Sequence, residues 1–253
     1  MNDHDKVFRL VMKAGEVLLH NGAEIFRVQE TMTIIAKSFE AMSLDVFVVS
    51  NGLFVTMHRD GNNYSTQIKY VPIAQVHLGR VAAVNHLSRE IVAGKYTIEE
   101  ALAQLEHISM MPYEHDVLRI LFAGLGSASF GYLLGGSAYD SLVSFISGVL
   151  LYIFILYAER IRIPKVLKIV LGSAGVTLIS LILFRMGLGD DLNHIIIGSI
   201  ICLVPGVSIT TSIRNFFNGD YLSGTIHLVD AFLVATSISV GVGVIIKAWG
   251  LFF

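Results

Sequence analysis

Charged residues make up only 15% of this 253-residue chain, and cysteine, tryptophan and proline are scarcer still, with one Cys, one Trp and four Pro. Each shortage excludes something. A single cysteine, Cys202, rules out an intrachain disulfide and any Cys-based metal site. The nine histidines never fall in an HExxH or comparable ligand spacing, so no metal and no other cofactor is expected. A formal net charge of −2 offers no attraction to a polyanion, and nucleic acid is not an expected partner. The opening residues, MNDHDKVFRLVMKAGEV, lack the basic segment and uninterrupted apolar core of a signal peptide, so the first half is expected to stay in the cytoplasm.

Hydrophobicity is what the chain has in quantity: 54% of residues and a mean hydropathy of +0.67. The few charges are unevenly placed. Residues 1–116 hold 10 of the 18 Lys and Arg and 14 of the 20 Asp and Glu. The expected fold class is an α-helical polytopic membrane protein of five transmembrane helices preceded by a small α+β cytoplasmic domain, with residues 1–116 as the domain and 117–253 as the membrane part.

In the first half, apolar residues at Val7, Leu10, Val11, Ala14 and Leu18 repeat with a helical period. A second helix is expected after Asn21, running to about residue 42 with Ile25, Val28, Met32, Ile35 and Phe39 on one face. Short β-branched and aromatic runs follow at 45–49, 53–58 and 64–71, separated by Asn51-Gly52 and by Asp60-Gly61-Asn62-Asn63, which predicts an antiparallel three-stranded meander ended by Pro72. Helices over 73–93 and 98–109 complete an ααβββαα order, the last one capped by Thr97 with Glu100 three residues on. The densest local cluster is HNGAEIFR, residues 20–27. His20, Glu24 and Arg27 could share a helix face as a binding group, but Asn21 as N-cap with Glu24 at N3 accounts for the same residues structurally. Gly22, Glu24 and Arg27 therefore form a motif without an assigned role. His58-Arg59-Asp60 reads as a strand end and a solvated turn.

Five runs of the second half approach the about 20 apolar residues that cross a bilayer: 117–136, 141–157, 166–186, 192–213 and 226–249. Arg160, Arg162, Lys165 and Lys168 lie between the second and third, Arg119 opens the first and Arg214 closes the fourth; Arg185 and Lys247 are on the other side. The positive-inside rule then places the N-terminus in the cytoplasm and the C-terminus outside, in a multi-pass protein of the cytoplasmic membrane. Gly131-x-x-x-Gly135 fits a close helix contact.

Two features of this half point to function. Pro205 interrupts an apolar run, removes a backbone N–H and is expected to leave the carbonyl of Ile201 free, while Gly206 eases an unwound segment. Hydroxyls follow at Ser208, Thr210, Thr211, Ser212 and Ser223, with Arg214 among them. A broken, hydroxyl-bearing helix at membrane depth suits a transport path, although a simple kink is the bland alternative. Asp230 is the second feature. It sits about five residues, or roughly 7 Å, into the last run, with His227 on the same face. An intramembrane carboxylate is expensive and suits reversible protonation; a structural pair with Arg214 is the alternative.

The stretches LLHNGAEIFRVQETMTIIAKSF (18–39), FVVSNGLFVTM (47–57) and LVPGVSITTSIRNFFNGDYLSG (203–224) resemble the bacterial threonine/serine exporter family. The resemblance implies a cytoplasmic-membrane exporter of small hydroxy amino acids energised by the proton gradient. Longer members carry about ten spans in one chain, and the five here are similar to the larger component of a split branch linked to dicarboxylates such as succinate, a half-transporter count that suits inverted-repeat carriers. Its implied partners are the small-molecule substrate, membrane lipid, a second small membrane subunit and further copies of the chain. In this reading Pro205, Gly206, Ser208, Thr210 and Thr211 line the path, Arg214 attracts a substrate carboxylate, and Asp230 with His227 handles the proton. A membrane-anchored enzyme or sensor acting through residues 1–116, and a passive channel, are the competing classes.

Overall fold

The computed structural model describes residues 3–39, 43–58, 64–74, 76–113 and 115–252. The chain divides into two compact units, Met1–Tyr113 and Glu114–Phe253.

The first unit is built as α1 (Asp3–His20), α2 (Ile25–Ser38), β1 (Ser43–Val49), β2 (Gly52–His58), β3 (Tyr64–Tyr70), α3 (Leu78–Val92) and α4 (Ile98–Ser109). The strands form an antiparallel sheet in the order β1-β2-β3, with Val46 opposite Val55 and Val55 opposite Gln67. Alternation sends Val48, Leu53, Val55 and Met57 into a core shared with Leu10, Leu18, Met32, Ile35 and Leu105. The capping box expected at the start of α4 is present, Thr97 accepting from the Glu100 N–H and Glu100 from the Thr97 N–H. The turn over Asp60–Asn63 and the Arg59-Asp60 pair lie outside the described residues.

Two sequence expectations are corrected here. Asn21 does not cap α2. It closes α1, its side-chain N–H donating to the Val17 carbonyl at 2.6 Å. Gly22 has φ +82° and Ala23 N–H reaches back to the Leu18 carbonyl. That left-handed residue ends one helix before the next begins, so His20 and Glu24 belong to different elements and share no helix face. Glu24 occupies the N-cap position of α2, and Arg27 is exposed with its guanidinium over the Phe26 ring. The other correction concerns α3, which starts at Leu78 rather than 73. Residues 71–74, 76 and 77 belong to neither helix nor strand, Val71 N–H still bonding the Asn51 carbonyl, and His77 accepts from the Arg80 N–H to start the helix. Arg80 also bonds the Asn21 side chain and the Met111 carbonyl, so the Asn21-Gly22 corner is held by α3 and by the end of the unit.

The second unit comprises α5 (Asp116–Leu133), α6 (Ala138–Arg160), α7 (Lys165–Arg185), α8 (Leu192–Ile200), which tightens into a 3-10 turn at Ile201–Leu203, α9 (Gly206–Phe217) and α10 (Tyr221–Phe252). Among the described residues, α6, α7 and α10 are each long and apolar enough to cross a membrane; α8 with its turn and α9 qualify together as a pair bent by 61°. The predominance of such helices makes this a membrane protein. Gly131 meets Ser144 of α6 and Gly198 of α8, whereas Gly135, at φ +105°, terminates α5 instead of continuing its contact face. Buried serines line the interior. Ser180 of α7 bonds Ser147 of α6 at 3.4 Å and Ser199 of α8 at 3.5 Å. Asp140 is buried and accepts from the N–H groups of Ser137, Asp190 and Asp191, joining the start of α6 to the α7–α8 connection.

Candidate functional site

The candidate site lies where α8 breaks. Val204 N–H donates to the Ile201 carbonyl at 3.1 Å, so that acceptor is not left free by Pro205: the chain tightens and uses it within the turn. Pro205 then precedes α9, its carbonyl accepting from Ile209 N–H at 3.0 Å, and Gly206 has open space beside it. An antiparallel hairpin follows, α9 running back along α10 around Asn218–Asp220. Ser212 donates to the Gly224 carbonyl at 2.7 Å, and Ser208 to Asp230 at 3.0 Å.

This hairpin is turned inside out relative to a water-soluble one. Ser208, Ser212 and Asn215, spaced i, i+4, i+7, make the inner face of α9, and Thr211 is half-buried at its edge. Val207, Ile213 and Phe217 point outward, 65, 49 and 87% exposed. Apolar outside and polar inside is the arrangement expected where the surroundings are lipid or another membrane subunit. The 100° step per residue separates the hydroxyls singled out in the sequence. Ser208 and Thr211 belong to the inner side; Thr210 and Arg214 are exposed on the outer one, with the Thr210 hydroxyl bonded to the Gly206 and Val207 carbonyls.

Asp230 is the centre of the cluster. One carboxylate oxygen accepts from Ser208 of α9, and the other is in ion-pair contact with the Lys165 ammonium at the first turn of α7. Side-chain exposures of 19% for Asp230 and 52% for Lys165 make this a pair at the edge of the packed interior, reachable by water from the lysine side. Helix α10 begins at Tyr221, earlier than its apolar run suggests, so Asp230 is about 14 Å along the helix. It nevertheless meets the beginning of α7, because the two helices run in the same sense and α10 starts ahead. Gly241 fixes their approach: a Cβ there would lie 2.5 Å from the Val170 carbonyl and 2.1 Å from the Ser173 hydroxyl. His227, one turn before Asp230, has its Nδ1 buried and without a hydrogen-bond partner among the described residues, as does the Asn215 side-chain nitrogen.

Lys165 and Asn215 are the residues that the sequence did not single out for the site. Asn215 was accessible from spacing, since it continues the Ser208–Ser212 face. Lys165 was not, because its partner is remote in the chain and only the packing of α7 on α10 unites them.

A family model described as "Putative threonine/serine exporter" matches residues 9–249. The chain belongs to this exporter family. Among its relatives, the "Probable succinate transporter subunit YjjP" of Escherichia coli strain K12 is 25% identical over 248 residues, covering 97% of this chain and 95% of that protein. The protein of the same description from Klebsiella aerogenes is 23% identical over 249 residues with the same coverage. A fungal relative, the "Pheromone-regulated membrane protein 10" of Debaryomyces hansenii, is 21% identical over 240 residues, which are 92% of this chain and 24% of that protein. No solved structure matches the chain. The exporter family is a class of transporters and not of enzymes, and its relatives include proteins described as subunits.

Proposed function

We propose that this chain is one subunit of a secondary exporter that moves threonine and serine out of the cell, driven by the proton gradient. The observation that carries the reading is the Lys165–Asp230–Ser208 cluster, drawn from three helices and set beside the Pro205–Gly206 break. A carboxylate here has an ammonium partner to release on protonation and a hairpin with an apolar outer face to move, which are the parts a proton-linked carrier needs.

In the proposed topology the chain crosses five times, as α5, α6, α7, the α8–α9 pair and α10. At 18 residues α5 extends about 27 Å, near the about 30 Å hydrocarbon thickness. Arg160, Arg162, Lys165 and Lys168 put the α6–α7 connection and residues 1–116 in the cytoplasm and the C-terminus outside. Pro205 and Gly206 keep the break open, Ser208 and Thr211 line one wall, and Asp230 takes the proton with His227 beside it. Thr210 and Arg214 face the second subunit that closes the path, Arg214 gathering carboxylates at its mouth. The second reading is a dicarboxylate exporter, favoured by the relatives described as succinate transporter subunits.

Efflux of labelled threonine, serine and succinate from vesicles containing the chain, with and without a small second subunit, tests the proposal. Threonine efflux that rises with an imposed proton gradient is expected; efflux indifferent to the gradient contradicts it.

A further inference from the structure

The Lys165–Asp230 pair has a property that its strength does not explain. It joins an ammonium on α7 to a carboxylate on α10, both at the open edge of the hairpin, with a third polar group left over one turn away. Asp230 is held further by Ser208, while His227 Nδ1 is buried with nothing to bond. A buried nitrogen without a partner is rare and disfavoured in a helix interface. His227 lies about 4.5 Å from Asp230 along the helix axis, a spacing within the reach of a molecule the size of an amino acid.

Resting on the exporter reading above, we infer that Lys165, Asp230 and His227 form a three-point site for a hydroxylated zwitterion, which binds by opening the ion pair. The substrate ammonium takes the Asp230 carboxylate, its carboxylate takes the Lys165 ammonium, and its side-chain oxygen meets His227 Nδ1. Each exchange conserves charge: one ion pair is replaced by two, with no ion left alone. A dicarboxylate cannot do this. It would satisfy Lys165 and leave Asp230 facing a second negative group, so the same residues that accept threonine reject succinate unless a proton accompanies it.

Proton and substrate ammonium claim the same carboxylate, so each displaces the other. Competition of this kind links inward proton movement to outward substrate movement. A dicarboxylate bound on Lys165 would give the opposite linkage, with proton and substrate bound together.

The test uses the full chain in vesicles with its second subunit, and three solutes that each omit one point: threoninol without the carboxylate, 3-hydroxybutyrate without the ammonium, and 2-aminobutyrate without the hydroxyl. In the unaltered protein each should compete with threonine at least about tenfold less well than threonine itself. Lys165→Gln should remove the preference over threoninol, and His227→Phe the preference over 2-aminobutyrate. Reversing the pair, Lys165→Asp with Asp230→Lys, should keep membrane abundance without supporting threonine export. Export regained by the reversed pair overturns the inference, because the pair is then structural only. Unchanged preferences in the single variants overturn it as well. Succinate export without threonine export leaves the exporter reading standing and defeats the three-point site; export of neither defeats both.

Discussion

Replacing Asp230 by Asn removes one charge and little volume, and its consequences divide cleanly between stability and transport. In the folded protein Asp230 contacts Lys165 and Ser208. The amide retains a partner for Ser208, so the loss is the ion pair. Lys165 is 52% exposed and finds water when its partner is neutralised. The cost is therefore expected near the upper end of a surface pair, about 1 kcal/mol, and not the 3–5 kcal/mol of a buried charge left alone. Membrane insertion and abundance should survive. Transport should not. A charge-assisted hydrogen bond contributes roughly 1.5–3 kcal/mol, so losing the contact to a substrate ammonium should weaken threonine binding by about 10- to 100-fold, and the proton site vanishes with it. Efflux from vesicles preloaded with labelled threonine, with and without an imposed proton gradient, reads both effects. Gradient-driven efflux at the original rate in the Asp230→Asn protein would refute the reasoning.

Three other expectations follow from contacts away from this cluster. Asp140 accepts three backbone N–H groups, and Asp140→Ala leaves them without their acceptor; a loss of about 2–4 kcal/mol is expected, read as a lower midpoint of thermal unfolding in detergent. Gly241→Ala places a Cβ against the α7 backbone and should cost about 1–3 kcal/mol, visible in the same melt, whereas Gly243→Ala meets open space and should be neutral. Glu16 of the first unit is opposed by burial, which pushes its carboxyl up, but the hydrogen bond from Lys69 and the charges of Lys13 and Lys69 hold it below its ordinary value near 4.5. Its folded value is depressed, so its contribution is present above that ordinary value and lost as pH falls through the lower, folded one. Unfolding of the Glu16→Gln protein should accordingly be less pH-dependent below about pH 4.5.

Much of the fold was legible because local chemistry and tertiary packing agree. Thr97 and Glu100 can satisfy each other at the start of α4 whatever surrounds them, and the meander follows from short alternating runs punctuated by turn residues. Where two local solutions use the same residue, the sequence is ambiguous. Asn21 suits the start of one helix and the end of another, and the left-handed Gly22 decides for the end. Hydropathy also misplaces helix ends: the first turns of α10, Tyr221 to Thr225, are polar enough to read as a loop yet are helical. At the candidate site the Pro205–Gly206 break and Asp230 were apparent because each is unusual in an apolar run. Lys165 was hidden among basic residues that explain orientation equally well. Its partner became visible only when Gly241 let α10 lie close on α7.

The central claim is that proton and substrate exchange at Asp230, and proton release on binding tests it most directly. The purified chain with the proposed second subunit, in weakly buffered solution with a pH indicator, is mixed with threonine over a series of starting pH values. The account predicts that threonine releases protons from the unaltered protein and none from the Asp230→Asn variant. Binding without proton release, or the same release from both proteins, would contradict it.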